Sequence, residues 1–326
     1  MPEKSPAKAI HTSRSGRVVG HVKLGMFDRA RGTVRQQVHD GDTIAVQTVG
    51  NLGVRFLGID AAEVSYKLPN GNDQFVSIGN DKWENFLADP FKGWPANTPL
   101  LDQRLKDYLK GKIQAGAAKN HHRHAKDAEK ALEKEISKDM KDLGLSEKEI
   151  QFFLVFAHDV MDRYGRLLCY ISPDQPNTEA AQRRPSYNQR LLEKGVVSPY
   201  FIWPNTDPFR KKSFREAIIQ PGKAPDVASK GALGEARKCI REARNQGIGI
   251  FKSDDPLMLQ SFELRFLADR RPPQRWVIDL GKDDNVLVHP QNYFSILNVE
   301  DRLFIPDEFV ALFAEVGWQK QELVPA

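Results

Sequence analysis

The 326-residue sequence predicts an α+β fold. Three observations carry that expectation: a period-two apolar block near the amino terminus, amphipathic helical stretches stopped by glycines, and a second strand-like block near the carboxyl terminus. With 40% hydrophobic residues, a chain of this length can bury a sizeable core.

Taken in order, residues 1–15 are polar and rich in Pro, Ser, Lys and Arg, the composition of a tail that cannot bury enough surface to order itself. Val34 and Val38, then Ile44, Val46 and Thr48, then Val54 and Phe56, alternate between the turn formers Asp40-Gly41 and Gly50-Asn51, predicting three strands of an antiparallel meander. The stretch between Glu63 and Asp162 is helical or irregular in pattern, so an insertion over about 64–150 is expected. Within it Ala125, Ala128, Leu132, Ile136, Met140 and Leu143 form one helical stripe among charges. His121, His122 and His124 lie among Lys119, Arg123 and Lys126 with no carboxylate or cysteine at ligand spacing, and read as a solvated basic segment. The β-rich runs 152–156 and 167–171 flank Asp162-Arg163-Tyr164-Gly165 and predict a hairpin. Short helices are expected over 187–194 and 234–246, ended by Gly195 and Gly247. Beyond residue 253 come strand-like blocks at 262–267, 276–280 and 286–289 and a helix near 306–316, so 254–326 is expected as a separate module with Trp276, Tyr293 and Phe294 in its core.

A formal charge of +5 suits a polyanionic partner without proving one. Two cysteines, Cys169 and Cys239, are too few for a disulfide framework and lack zinc-site spacing. No run of roughly 18 apolar residues could span a bilayer, so no membrane partner is expected. No apolar stretch follows the basic amino-terminal residues as an export signal requires, which favours a cytoplasmic location.

Three segments carry the chemistry: Val38-His39-Asp40-Gly41-Asp42-Thr43, Val54-Arg55-Phe56-Leu57-Gly58-Ile59-Asp60-Ala61-Ala62-Glu63, and Asp162-Arg163-Tyr164-Gly165-Arg166. In order and internal spacing they resemble the staphylococcal nuclease, or thermonuclease, family. Tyr200-Phe201-Ile202-Trp203-Pro204-Asn205 is a weaker fourth match, and 235–251 resembles the family's closing helix and Gly-Ile-Gly-Ile-Phe run. Each segment alone reads as a turn or a solvated strand; their joint order carries the resemblance. It covers about 16–65 and 150–253, and implies a five-stranded OB-type β-barrel with packed helices, a helical insertion and a small C-terminal α+β module.

What the resemblance implies for function is a calcium-dependent nuclease cutting DNA, with RNA as a further candidate substrate, to leave 3′-phosphate and 5′-hydroxyl ends. A phosphodiester is shielded by its own negative charge, so hydrolysis needs a cation, a base for water, and donors for charge growing on the equatorial oxygens. By resemblance, Asp42, Asp60 and the backbone carbonyl of Ala61 coordinate calcium, which suits hard oxygen ligands, and Asp40 sits beside the metal. Glu63 serves as general base or orients the water. Arg55 and Arg166 grip the scissile phosphate with planar forks that stay charged at any working pH. Tyr164 and Tyr200 line the nucleotide pocket, whereas Ile202 stands where the family has a second pocket tyrosine. Ala61 and Ala62 replace the family's usual threonine and proline: the first change leaves a carbonyl ligand intact, while the second loosens the loop carrying Glu63. Five residues of straight strand from Arg55 to Asp60 would span roughly 16 Å, so curvature is required, as in a small coiled barrel. The rival expectation is a catalytically silent copy that binds nucleic acid.

Overall fold

The computed structural model describes residues 8–12, 18–20, 22–27, 30–31, 33–38, 45–69, 74–175, 177–206 and 214–323. The chain is mixed α+β and divides into two compact units, residues 1–55 with 159–169 and residues 56–158 with 170–326. No closed barrel is traced among the described residues, and none of their helices is long and apolar enough to cross a membrane.

In the first unit Ile10–Thr12 pairs with Val18–Gly20, Val22–Leu24 with Val46–Thr48, and Met26–Phe27 with Ala30–Arg31, all antiparallel. The expected strands near 46–48 and 54–56 are present. Val34, however, opens a one-turn helix, Val34–Gln37, instead of a strand. Gln36 Oε1 accepts from the Thr33 backbone N–H at 2.9 Å, a local capping bond that the alternation of Val34 and Val38 does not reveal. His39, Asp40, Gly41, Asp42, Thr43 and Ile44 lie outside the described residues. The expected hairpin forms from Phe152–Met161 and Leu167–Pro173.

The second unit holds a four-stranded sheet in the order Trp276–Asp279, Arg302–Ile305, Ser198–Ile202, Gly58–Asp60. Ser198–Ile202 runs parallel to Arg302–Ile305, with Phe201 opposite Leu303, and antiparallel to Gly58–Asp60, with Ser198 opposite Asp60. Residues 254–326, set apart by composition, therefore share a sheet with residues from the motif segments and are no separate module in packing. Buried Ile278, Leu303 and Ile305 complete the same core as Phe201 and Trp203. Of the three aromatics expected in a core, Tyr293 is buried, in a second cluster with Phe262 and Phe304, while Trp276 and Phe294 are only partly buried.

The block 262–267 is the clearest departure: it is a helix, Ser261–Ala268. Phe262, Leu264, Phe266 and Leu267 are buried on it, and a continuous apolar run cannot by itself separate a buried strand from a buried helix. Its start is set by Glu263, which accepts from the Gln260 N–H at 2.8 Å. Inside the insertion lie Asp81–Ala88, Gln103–Lys112 and Ala117–Leu143. The last buries Ala125 and Ala128 of the predicted stripe and also Glu135 and Asp139, both paired with Arg190. The helices Tyr187–Glu193 and Gly231–Gln246 stop at Gly195 and Gly247, whose φ of 60° and 61° only glycine adopts without strain.

Glu263 is fully buried, taking Lys112 Nζ at 2.5 Å and the Tyr293 hydroxyl at 2.8 Å. Glu263→Ala strips Lys112 of its carboxylate and should cost about 3–5 kcal/mol of unfolding free energy, seen as a lower urea midpoint at unchanged slope. A midpoint within error of wild type would remove the pair from the stability account.

Candidate active site

The run 54–60 is broken at Leu57: Val54–Phe56 and Gly58–Asp60 are separate strands, and Gly58 adopts a φ of 73°. Buried Asn188 holds the break, donating to the Leu57 carbonyl at 2.8 Å and accepting from the Ile171 N–H at 3.1 Å. From here the strand delivers Ile59 into a core with Leu191 and Ile240, and turns Asp60, only 2% exposed, to the opposite face.

A carboxylate buried that deeply needs a partner. Arg265, on the helix Ser261–Ala268, supplies it: Nη1 donates to Oδ1 at 3.0 Å and Nη2 to Oδ2 at 2.6 Å. The same Nη1 donates to Glu63 Oε1 at 2.7 Å, so two carboxylates converge on one guanidinium. One turn earlier on that helix, the Ser261 hydroxyl donates to the Ala61 carbonyl. Burial disfavours the Arg265 charge, yet Asp60 above all, with Tyr200 and Glu63 after it, holds its pKa well above the ordinary arginine value. Removing one member of such a buried pair costs about 3–5 kcal/mol.

Glu63 is fixed from its other side. Its backbone N–H donates to His121 Nε2 at 2.8 Å, and His121 Nδ1 lies 3.1 Å from the Leu259 carbonyl. An imidazole that accepts at Nε2 and faces a carbonyl at Nδ1 is neutral, with its proton on Nδ1. Burial pushes its pKa down to about 4, against the opposing pull of the Leu259 carbonyl and Asp60. The histidines are thus not a solvated segment: His121 and His124 are buried, and Arg123 between them is tied to Asp255.

Tyr200 also departs from expectation. Its ring stacks on Phe262 with centroids 5.5 Å apart and planes 12° apart, and its hydroxyl accepts from Arg275 at 2.9 Å. With 9% exposure it is a core ring and offers no face to a base.

In the first unit the Leu167 N–H donates to the Gly53 carbonyl at 2.8 Å, which sets Arg166 beside the strand that carries Arg55. Asp162 shapes the turn by accepting from the N–H groups of Tyr164 at 2.9 Å and Arg166 at 3.0 Å, and from Arg166 Nε at 2.7 Å. Tyr164 is exposed, with the guanidiniums of Arg163 and Arg166 4.8 and 5.4 Å from its ring centre.

Among the described residues no group of three His, Cys, Asp or Glu side chains could hold a metal ion. What does converge is a pair of carboxylates, Asp60 and Glu63, on the Arg265 guanidinium, while the Ala61 carbonyl is taken by Ser261 on the same helix. Carboxylate and carbonyl oxygens are the donor kind calcium takes, but each of these groups already has a partner in Arg265 or Ser261. Arg265, Ser261 and His121 belong to no motif; the one signal for the first two is their i, i+4 spacing on a helix face. No family model, curated protein or solved structure matches the chain.

Between pH 6.5 and about 4 an unfolded chain binds a proton at His121 that the fold refuses, so stability present above pH 6.5 is lost as pH falls through this window. A depression of that size is worth roughly 3 kcal/mol. Asp60, Arg265 and His124 face the ring as well, so the comparison is with His121→Asn, whose urea midpoint should fall less from pH 6.5 to 4 than that of wild type. Parallel profiles would acquit His121.

Proposed function

We propose that this chain is a phosphodiesterase of the staphylococcal nuclease type, hydrolysing DNA with RNA as a second substrate class, and that calcium is its cation. One observation supports this reading above others: Asp60 and Glu63, the motif carboxylates, converge on a single positive charge, and one helix engages both them and the Ala61 carbonyl. An OB-type barrel over 16–253 belongs to the same proposal.

Calcium, held by Asp42, Asp60 and the Ala61 carbonyl, would neutralise the phosphate and polarise water. Glu63, its backbone positioned by His121, takes the proton of the attacking water. Arg55 and Arg166 donate to the non-bridging phosphate oxygens, and the hold of Asp162 on Arg166 orients that fork before substrate arrives. Tyr164 offers an exposed ring for a base to stack on. Attack expels the 5′ oxygen, leaving a 3′-phosphate and a 5′-hydroxyl. The silent, binding-only reading draws on one observation, that Arg265 already pairs with both carboxylates.

Digestion of plasmid and oligonucleotide, paired with oligonucleotide affinity in chelator, separates the two. Calcium should stimulate cleavage, and Asp42→Asn should lower the rate on the order of a hundred- to a thousand-fold while binding survives. Arg166→Ala should lower both. Wild-type protein that binds yet cuts no faster than Asp42→Asn would leave the binding module standing, and 5′-phosphorylated products would contradict the proposed bond cleavage.

A further inference from the structure

The first turns of the long helix Ala117–Leu143 face two ways. His121 points inward to the Glu63 N–H, whereas Lys119, His122 and Arg123, spaced i, i+3 and i+4, share another face. That face borders an open hollow of about 480 Å³ whose remaining lining is Ser77, Gly79 and Asn80. Gly79 lets the His122 ring lie against the backbone, because a Cβ there would come within 3.0 Å of Nδ1. Ser77 belongs to a hairpin, Ser65–Lys67 paired antiparallel with Phe75–Ser77, whose first strand follows closely on Glu63.

We infer that this surface is a track for single-stranded nucleic acid beside the proposed base: the Phe75 ring stacks on a base, and the hollow lined by Ser77, Lys119, His122 and Arg123 takes a neighbouring phosphate. The inference rests on the phosphodiesterase reading above and extends it from the bond cut to the strand held. Alternation along the hairpin supports it. Tyr66 and Val76 pack against the core, which leaves Lys67, Phe75 and Ser77 on the outer face. Phe75 is 63% exposed, and Lys67 Nζ lies 5.9 Å from its ring centre, so ring and cation stand side by side as single-strand binders present them. Phe75 and Ser77 are about 7 Å apart along one face of the strand, so the ring and the hollow are neighbours.

The hollow offers donors to an occupant whose oxygens only accept. Ser77 brings a hydroxyl and Lys119 an ammonium, and Asn80, whose Oδ1 accepts the Lys82 N–H at 3.0 Å, brings its amide Nδ2. Arg123 gives Nε and Nη2 to Asp255, which fixes the guanidinium and leaves Nη1 as its donor. Asp81 lies 3.6 Å from Lys119, but the two side chains are 85% and 64% exposed, and a pair so well hydrated holds its lysine weakly. A phosphate can therefore draw the ammonium from it. The aromatic neighbour decides between polyanions: an acidic peptide has no base to lay on Phe75, whereas a single strand offers open bases and phosphates in alternation.

The test measures binding by the full chain in chelator, with a short fluorescent oligothymidylate, a blunt DNA duplex and poly-glutamate as probes. Wild type should bind the single strand, and poly-glutamate at equal charge should fail to displace it. Phe75→Ala should loosen the single strand on the order of ten- to a hundredfold and leave duplex affinity unchanged, because paired bases present no open face; Phe75→Trp should restore the lost affinity. Lys119→Ala should lower the slope of log affinity against log salt by about 0.7. Both side chains are exposed, so neither change strips the core, and equal melting temperatures check this. Wild-type affinity of Phe75→Ala for the single strand, or displacement by poly-glutamate, would overturn the track even in a protein that cuts DNA. The expected losses in a protein that calcium does not stimulate to cleave would sink the nuclease reading and leave the track standing.

Discussion

The pairing of buried Asp60 with Arg265 is the interaction on which the rest of the second unit depends. A carboxylate 2% exposed is tolerable only beside a compensating charge, and that charge lies 205 residues away in sequence. Its helix must therefore dock against the end of Gly58–Asp60, and the strands Trp276–Asp279 and Arg302–Ile305 extend the sheet to which that strand belongs. A stability of about 5–15 kcal/mol is usual for a domain, and one broken buried pair costs about 3–5 of it. The candidate site and the packing of the carboxyl-terminal region are thus a single energetic unit.

The insertion takes part in the same construction. Asn120 donates to the Asp255 carboxylate and the Pro256 carbonyl, both at 2.9 Å, and accepts from the Met258 N–H at 3.0 Å. Next along the same helix, His121 spans from the Glu63 N–H to the Leu259 carbonyl. Residues 255–259 are pinned to the insertion just ahead of the helix that carries Arg265, and the loop carrying Glu63 is pinned with them. The insertion therefore supplies a residue that positions the proposed base, although every motif residue lies outside it.

What was legible in the sequence follows from the range of the forces involved. Gly195 and Gly247 stop their helices by a local backbone requirement, and the Asp162-to-Gly165 turn closes through bonds among its own residues; both could be read from a few neighbouring letters. The helix Ser261–Ala268 could not, since its apolar residues are buried on several faces and leave no period to read. Tyr200 and the histidines failed for a related reason. Whether an aromatic stacks on a base or on Phe262, or an imidazole meets water or the Leu259 carbonyl, is decided by residues 62 and 138 positions away. Arg265 is the extreme case, a functional candidate with no motif, identifiable only once Asp60 is seen to be buried.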